Sequence, residues 1–272
     1  LWMRMKLSES PVFEAMKAEG EMAGNPFVES FTYPGNKKRI FVALFGIAAG
    51  LTVIWYTAFF TGLSLLKGPM QVDETWTEIT IGIAAALGMA FFIYFGHMSD
   101  KIGRKKPIII GYVLTLILLF PIMWVMGSTA NPDRAAAEKV APVVVVANEC
   151  AFDPFLAKQK TACGQALGQL TKLGVHYERQ QAAPGEAPMI QIGRQSLAIG
   201  SRDSIQSGLG ASGYDFSKQH PPLSSAVIII VCLLGLSALS GMTFGPVAAL
   251  LAEMFPPKVR YSSMSIPYHI GT

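Results

Sequence analysis

The densest chemistry in the chain lies in Gly96-His97-Met98-Ser99-Asp100-Lys101-Ile102-Gly103-Arg104-Lys105. A carboxylate, a hydroxyl and several cations sit within one short loop, where they can make reversible polar contacts. Gly96 and Gly103 allow backbone angles that other residues resist. Lys101, Arg104, Lys105 and Lys106 would hold the loop on the cytoplasmic side of a membrane. A loop that only sets orientation explains the cations, but not Asp100 with both glycines at these spacings. Elsewhere, polar side chains inside apolar runs are candidates for ligand contact. Tyr56 and Thr57 lead, with Trp55, Ser240 and Thr243 behind, although aromatic residues in mid-helix more often pack. His97, His176, His220 and His269 are scattered without metal-ligand spacing. No nucleophile constellation, phosphate-cradling loop or carboxylate pair is present, so neither catalysis, a metal nor a cofactor is expected.

The elements that must hold these side chains are legible in the charge pattern. The chain is 51% hydrophobic and 15% charged, where a soluble domain carries about a quarter charged residues. Residues 40–66, 79–98, 107–126 and 223–252 contain no Asp, Glu, Lys or Arg. Each run can cross a hydrocarbon core of roughly 30 Å, which takes about twenty helical residues. The expected class is an all-α transmembrane protein, with the lipid bilayer as its first partner.

The net charge of +4 does not indicate nucleic acid, because it is partitioned by side. Six basic residues fall in 1–39, four in 101–106 and two in 258–260. Counting spans in order places all three segments on one face. The short segment 67–78 has one Lys against Asp73, Glu74 and Glu78. Short loops decide orientation, so 1–39, 99–106 and 253–260 are expected in the cytoplasm and 67–78 and 127–222 outside it.

The expected organisation has four parts. Residues 1–39 form a cytoplasmic linker with a short interfacial helix around Ser10–Lys17. Residues 40–126 form three transmembrane helices, the first long enough at about 40 Å to tilt or bend. Residues 127–222 form an extracytoplasmic insertion. Residues 223–272 form a fourth transmembrane helix, a cytoplasmic loop and the start of a further helix. Gly46–Gly50 and Gly241–Gly245 are G-x-x-x-G patterns that favour close helix packing, and Pro246 should kink or break its helix. The chain opens on Leu1-Trp2 and closes on Ile270-Gly271-Thr272 within an apolar segment, and is read as a piece of a longer protein.

Segment 127–222 differs in kind. Residues 141–147 read as a buried strand, 154–173 as a helix and 189–199 as an alternating strand, which together suggest a small α/β-like domain. The alternative is a partly disordered loop, favoured by Pro184-Gly185 and by the run Ser207–Gly213. Cys150 and Cys163 are a candidate disulfide if that compartment is oxidising, worth roughly 3 kcal/mol in the chain-entropy model. Two free thiols are the alternative. Cys232 should pack as a small hydrophobe.

Four stretches resemble the metabolite:proton symporter branch of the major facilitator superfamily. Leu7-Ser-Glu-Ser-Pro-Val-Phe13 is similar to the segment that follows the sixth helix. Ala48-Ala-Gly50 through Trp55-Tyr56-Thr57 is similar to the seventh helix, in which a Tyr-Thr pair faces the cavity. Gly96–Lys105 resembles the superfamily signature between helices eight and nine. Ala252-Glu253-Met-Phe-Pro-Pro-Lys-Val-Arg260-Tyr261 resembles the segment after helix ten. The resemblance implies part of the C-terminal six-helix bundle, helices seven to ten and the start of eleven, with an N-terminal six-helix half as its partner. The common pattern has a short loop where this chain has 127–222.

By that resemblance the chain belongs to a secondary active transporter of the bacterial inner membrane. It would move a small polar metabolite, such as an organic acid or a betaine-like solute, with protons by alternating access. Gly96, Ser99, Asp100, Lys101, Gly103, Arg104 and Lys105 would form the cytoplasmic gate. Asp100 would accept hydrogen bonds at a neighbouring helix end, Arg104 would pair with Glu253, and Arg260 would complete the cluster. No acid or His lies centrally in any span, so a coupling residue is expected in the other half. The rival is a non-transporting sensor that uses 127–222 as a binding module.

Overall fold

The computed structural model describes residues 11–20, 24–148, 150–156, 159–183 and 185–271. Among the described residues two short helices come first, α1 (Pro11–Ala18) and α2 (Pro26–Thr32). Leu7–Ser10 of the first resembling stretch lie outside the described residues. Among the described residues four runs are long and apolar enough to span a membrane: α3 (Asn36–Lys67), α4 (Glu74–Ile102), α5 (Lys105–Ala130) and the run Leu223–Met254. Each continues past its uncharged stretch, so the helical part of the third ends near residue 130 rather than 126.

The helices are apolar nearly all round, and many large side chains point outward. Ile93, Leu116, Phe120 and Trp124 are each at least 70% exposed, the reverse of a soluble fold and the arrangement that hydrocarbon requires. Several hydroxyls within the runs are satisfied locally, whereas the buried Ser240 Oγ has no hydrogen-bond partner among the described residues. The hydroxyls of Thr52, Thr80 and Thr115 each donate to the carbonyl four residues earlier, at 2.7–2.8 Å. The expected bend in α3 takes the form of two π-helical turns, Leu44–Ala48 and Thr57–Thr61. The fourth run breaks where Pro246 removes an amide donor, into α9 (Leu223–Phe244) and α10 (Val247–Met254). A 3-10 turn (Pro257–Val259) then leads to α11 (Arg260–Gly271).

The described chain divides into two compact units. The first comprises residues up to 58, 87–119 and 236 onward. Its core gathers Ile40, Ile47, Leu51, Ile108, Leu251 and Phe255. Asn36 is fully buried there, and its Nδ2 donates to Ser30 O (2.7 Å) and Ser263 Oγ (2.8 Å), which ties α2, α3 and α11 together.

The second unit comprises 59–86 and 120–235. It carries a membrane-length cluster around Leu66, Met126, Ile229 and Leu233, and a small α/β domain between α5 and α9. That domain runs α6 (Pro132–Val140), β1 (Val143–Val146), α7 (Ala162–Leu173), β2 (Tyr177–Gln180), β3 (Met189–Ile192), β4 (Gln195–Ala198) and α8 (Arg202–Ala211). Sheet order is β2-β1-β3-β4, with β1 parallel to β2 and the other pairs antiparallel. Val143, Val145, Ile190 and Ile192 pack on Leu167, Leu170, Ile205 and Leu209.

Segment 127–222 is thus folded rather than loop-like, with three differences from expectation. The helix expected over 154–173 begins only at Ala162, where Thr161 Oγ1 accepts from Gly164 N at 3.0 Å. The strand expected over 189–199 is a hairpin, turned at Gly193 with φ +58°. Glycine first in a two-residue turn fits the type II′ geometry that hairpins favour. The glycine-rich run from Ser207 lies largely in α8, because burial of Ile205 and Leu209 offsets the roughly 1 kcal/mol that each helical glycine costs. Pro184 lies outside the described residues.

The domain is fastened to the loop before α4. Asp73 caps α4, accepting from Trp76 N at 3.0 Å, and pairs with Lys218 at 3.1 Å. The Trp76 amide first, and Lys218 second, hold its carboxyl below the usual carboxylate range. This contribution to stability is in place above about pH 4 and is lost as pH falls through the depressed folded-state value. Tyr214 is buried and its Oη donates to Ala141 O at 2.8 Å. Tyr214→Phe strands that carbonyl, so it should lower the domain's stability by about 1–2 kcal/mol, read as faster hydrogen exchange in β1 and β3.

Candidate functional site

The polar cluster expected from the sequence assembles within the first unit. α4 ends at Ile102, and Gly103 follows with φ +94°, the left-handed position that commonly closes a helix. Gly103 N donates to Ser99 O at 3.0 Å, and the reversal carries Arg104 back over the last turn of α4. There its Nη1 donates to Ser99 Oγ at 3.0 Å and to Asp100 Oδ1, while its Nε donates to Glu253 Oε1 at 3.1 Å. Ser99 is fully buried and donates in turn to Gly96 O at 2.7 Å. One guanidinium therefore binds the loop to α10.

Electrostatics fit that role. Glu253 lies in the last turn of α10, where the helix dipole disfavours an anion, and Arg104 compensates it. Asp100 first, and Glu253 second, reinforce the positive charge of Arg104. Arg104 is 22% exposed, Asp100 52% and Glu253 59%. Pairs this open are weak singly, and can break and re-form.

In this structure Asp100 accepts from Arg104, and Arg260 Nε donates to Phe255 O at 3.2 Å. Lys101 and Lys105 are exposed beside the cluster.

Close helix contact supports the loop from above. A Cβ on Gly245 would lie 2.7 Å from Gly96 N and 2.8 Å from Phe92 O, and one on Gly241 would lie 3.0 Å from Phe91 backbone. The Gly241–Gly245 pattern is therefore a packing surface against α4. Of Gly46 and Gly50, only Gly50 makes such a contact, where Tyr112 fills the space and its Oη donates to Ile47 O at 2.9 Å. Tyr112 carries no sequence signal, because its role exists only once α3 and α5 are side by side.

The candidate ligand contacts lie on α3 and α9. Trp55 packs edge-on against Phe92 and Phe244, with ring centres 6.0 and 5.9 Å away. Tyr56 is half-exposed and precedes the π-turn Thr57–Thr61, which opens on the partly buried Thr57. Ser240 and Thr243 are fully buried within the helix packing, and Thr243 Oγ1 donates to Ser240 O at 2.9 Å. Cys150 and Cys163 form a disulfide with Cα atoms 5.0 Å apart, and Cys232 is a free thiol in α9.

Comparison with known proteins adds to this geometry. A model of the Major Facilitator Superfamily matches residues 3–145, a stretch that includes the Gly96–Lys105 loop and more than half of the chain. The chain belongs to the major facilitator superfamily. Among curated superfamily relatives, a protein of Haemophilus influenzae provisionally named a metabolite transport protein is 40% identical over 295 residues, covering all of this chain and 63% of that protein. The provisionally named transporter YdfJ of Escherichia coli is 23% identical over 184 residues, covering 65% of this chain and 41% of that one. A provisionally named proline/betaine transporter of Staphylococcus aureus is 32% identical over 115 residues, covering 41% and 23%. The chain thus spans less than two thirds of each of these relatives. No solved structure matches it.

Proposed function

We propose that the protein is a secondary active transporter of a small polar metabolite in the bacterial inner membrane, working by alternating access with proton symport. The observation that carries this reading is the Arg104 cluster, in which one loop side chain bridges Ser99, Asp100 and Glu253. A gate must hold one state and release it within each cycle, and a set of part-exposed pairs, each weak singly, suits that demand. The name of the Staphylococcus relative favours a proline- or betaine-like solute, and that of the Haemophilus relative a metabolite of unspecified class. Tyr56 and Thr57 are the residues assigned to substrate contact from this chain, at the start of a π-turn of the kind that accumulates at functional sites. The spans 40–66, 79–98, 107–126 and 223–252 hold no charged residue, so the coupling proton is assigned to a group outside them.

The test is uptake of radiolabelled organic acids, proline and betaine into vesicles containing the protein, with and without an inward proton gradient. Accumulation that collapses with a protonophore supports symport. Gradient-independent exchange would replace it with an antiport reading.

A second reading makes the α/β domain a sensor module, and one observation favours it. A cavity of about 1350 Å³ in the second unit is bordered by Met70, Trp124, Asn131, Arg134 and His176. Arg134 is 2% exposed, lies 3.5 Å from Glu138, and its Nη2 has no hydrogen-bond partner. Such a guanidinium would take a carboxylate. Saturable quenching of tryptophan fluorescence by small carboxylates, lost in Arg134→Met, is the expected result for that reading.

A further inference from the structure

The bridge between Cys150 and Cys163 sits where a reactive disulfide would be placed. Cys163 is the second residue of α7, a twelve-residue helix capped by Thr161. A thiolate there gains the N-terminal end of the helix dipole, the environment that makes a cysteine a good leaving group. Cys163 is 2% exposed, whereas Cys150 is only partly buried and lies in irregular chain after β1. The two sulfurs are thus unequal, one reachable and one both shielded and stabilised as an anion.

The domain has a four-stranded sheet and a buried core that includes Cys163, with Cys150 packed against its margin. The chain beside the bridge carries Phe155 at 95% and Leu156 at 42% exposure, apolar surface that core formation does not explain. Along Cys150 runs an open groove of about 650 Å³, bordered by Asn148, Glu178, Arg179, Gln180 and Gln181. That size suits a small ligand. Its wall is β2, one of the two edge strands of the sheet, and Arg179 on that strand is exposed.

We propose that Cys150–Cys163 is a thiol–disulfide exchange site for a low-molecular-weight thiol that carries carboxylates, of the glutathione kind. The incoming thiolate attacks the Cys150 sulfur, the bridge breaks, and the electron pair leaves on the Cys163 sulfur. A second thiolate then attacks the bound thiol's sulfur and releases the Cys150 thiolate. Overall two thiols become one disulfide, the protein bridge becomes two cysteines, and the protons of the two thiols end on those cysteines. Run in reverse, the same steps reduce an incoming disulfide. Arg179 holds a carboxylate of the small thiol in the groove.

The experiment uses the whole chain, purified in detergent with Cys232→Ala, and reads intact mass after acid quenching and alkylation. Millimolar glutathione, without denaturant, is expected to open the bridge within minutes. With oxidised glutathione in place of reduced, Cys163→Ser should accumulate one glutathione adduct on Cys150 with release of one reduced glutathione, and Cys150→Ser should accumulate none on the shielded Cys163. Arg179→Ala should slow opening by glutathione severalfold and leave opening by uncharged 2-mercaptoethanol unchanged. A bridge that opens only in denaturant, or an adduct that forms on Cys163, would overturn the proposal. Equal slowing with both thiols would overturn the role of Arg179. The readout needs no uptake measurement, so its failure is distinct from failure of the transporter reading.

Discussion

Arg104→Ala should cut substrate uptake by about tenfold or more while leaving membrane insertion and protein level unchanged. The side chain makes three contacts at once, to Ser99, Asp100 and Glu253. Each part-exposed pair is weak singly, but losing both at once shifts the equilibrium between gate states. Arg104→Lys should restore little, because a single ammonium cannot reproduce a planar fork that reaches residues on two helices. Glu253→Gln should produce a smaller defect, since Ser99 and Asp100 still hold the guanidinium. Initial rates of uptake in vesicles with matched protein content measure all three. Wild-type uptake by Arg104→Ala would show that the cluster is an orientation anchor only.

Gly245→Ala should destabilise the protein by about 1–3 kcal/mol, the usual cost of forcing a methyl group into a filled space. The obstacles are backbone atoms, Gly96 N and Phe92 O at 2.7–2.8 Å from the new carbon, so no side-chain rotation relieves them. Gly82→Ala is the matched control. Nothing lies within 4 Å of its added carbon, and alanine should stabilise that helix by a few tenths to about 1 kcal/mol. Thermal unfolding in detergent, followed by intrinsic fluorescence, should therefore shift in opposite directions for the two variants. A shift of the same sign would remove the tight α4–α9 contact from the account.

The contrast between these glycines shows what a sequence does and does not display. Gly82 and Gly245 both lie in apolar, small-residue stretches, and only the partner helix separates them. The four membrane-length helices were legible because hydrocarbon imposes one strong rule, the exclusion of charge over about twenty residues. The Arg104–Glu253 pair was legible for a related reason. With the spans uncharged, Glu253 is the acid at the inner end of its helix, which left little choice of partner.

Contacts between neutral residues left no such trace. Asn36 precedes a run of cations and looks like a loop residue, yet it is buried and bonded to Ser30 and Ser263. Arg260 carries the charge that suggested a place in the gate, and in this structure its Nε donates to Phe255 O. In the α/β domain, β1 announced itself by four consecutive valines. β2 did not, because Tyr177-Glu-Arg-Gln180 is an edge strand whose side chains are mostly exposed, so nothing alternates. α8 was hidden behind Gly208 and Gly210. Its two buried anchors, Ile205 and Leu209, stand four residues apart and were the signal available. The hairpin was likewise marked by Gly193 in the middle of an otherwise alternating run.

The account rests most directly on sidedness, and cysteine labelling in intact cells measures it. With the native cysteines replaced, single cysteines at Lys101 and at Asn148 are exposed to a maleimide that cannot cross the inner membrane. The account predicts labelling at 148 and none at 101 until the membrane is opened. Labelling at 101 in sealed cells would contradict it, because the Arg104 cluster would then face the outside.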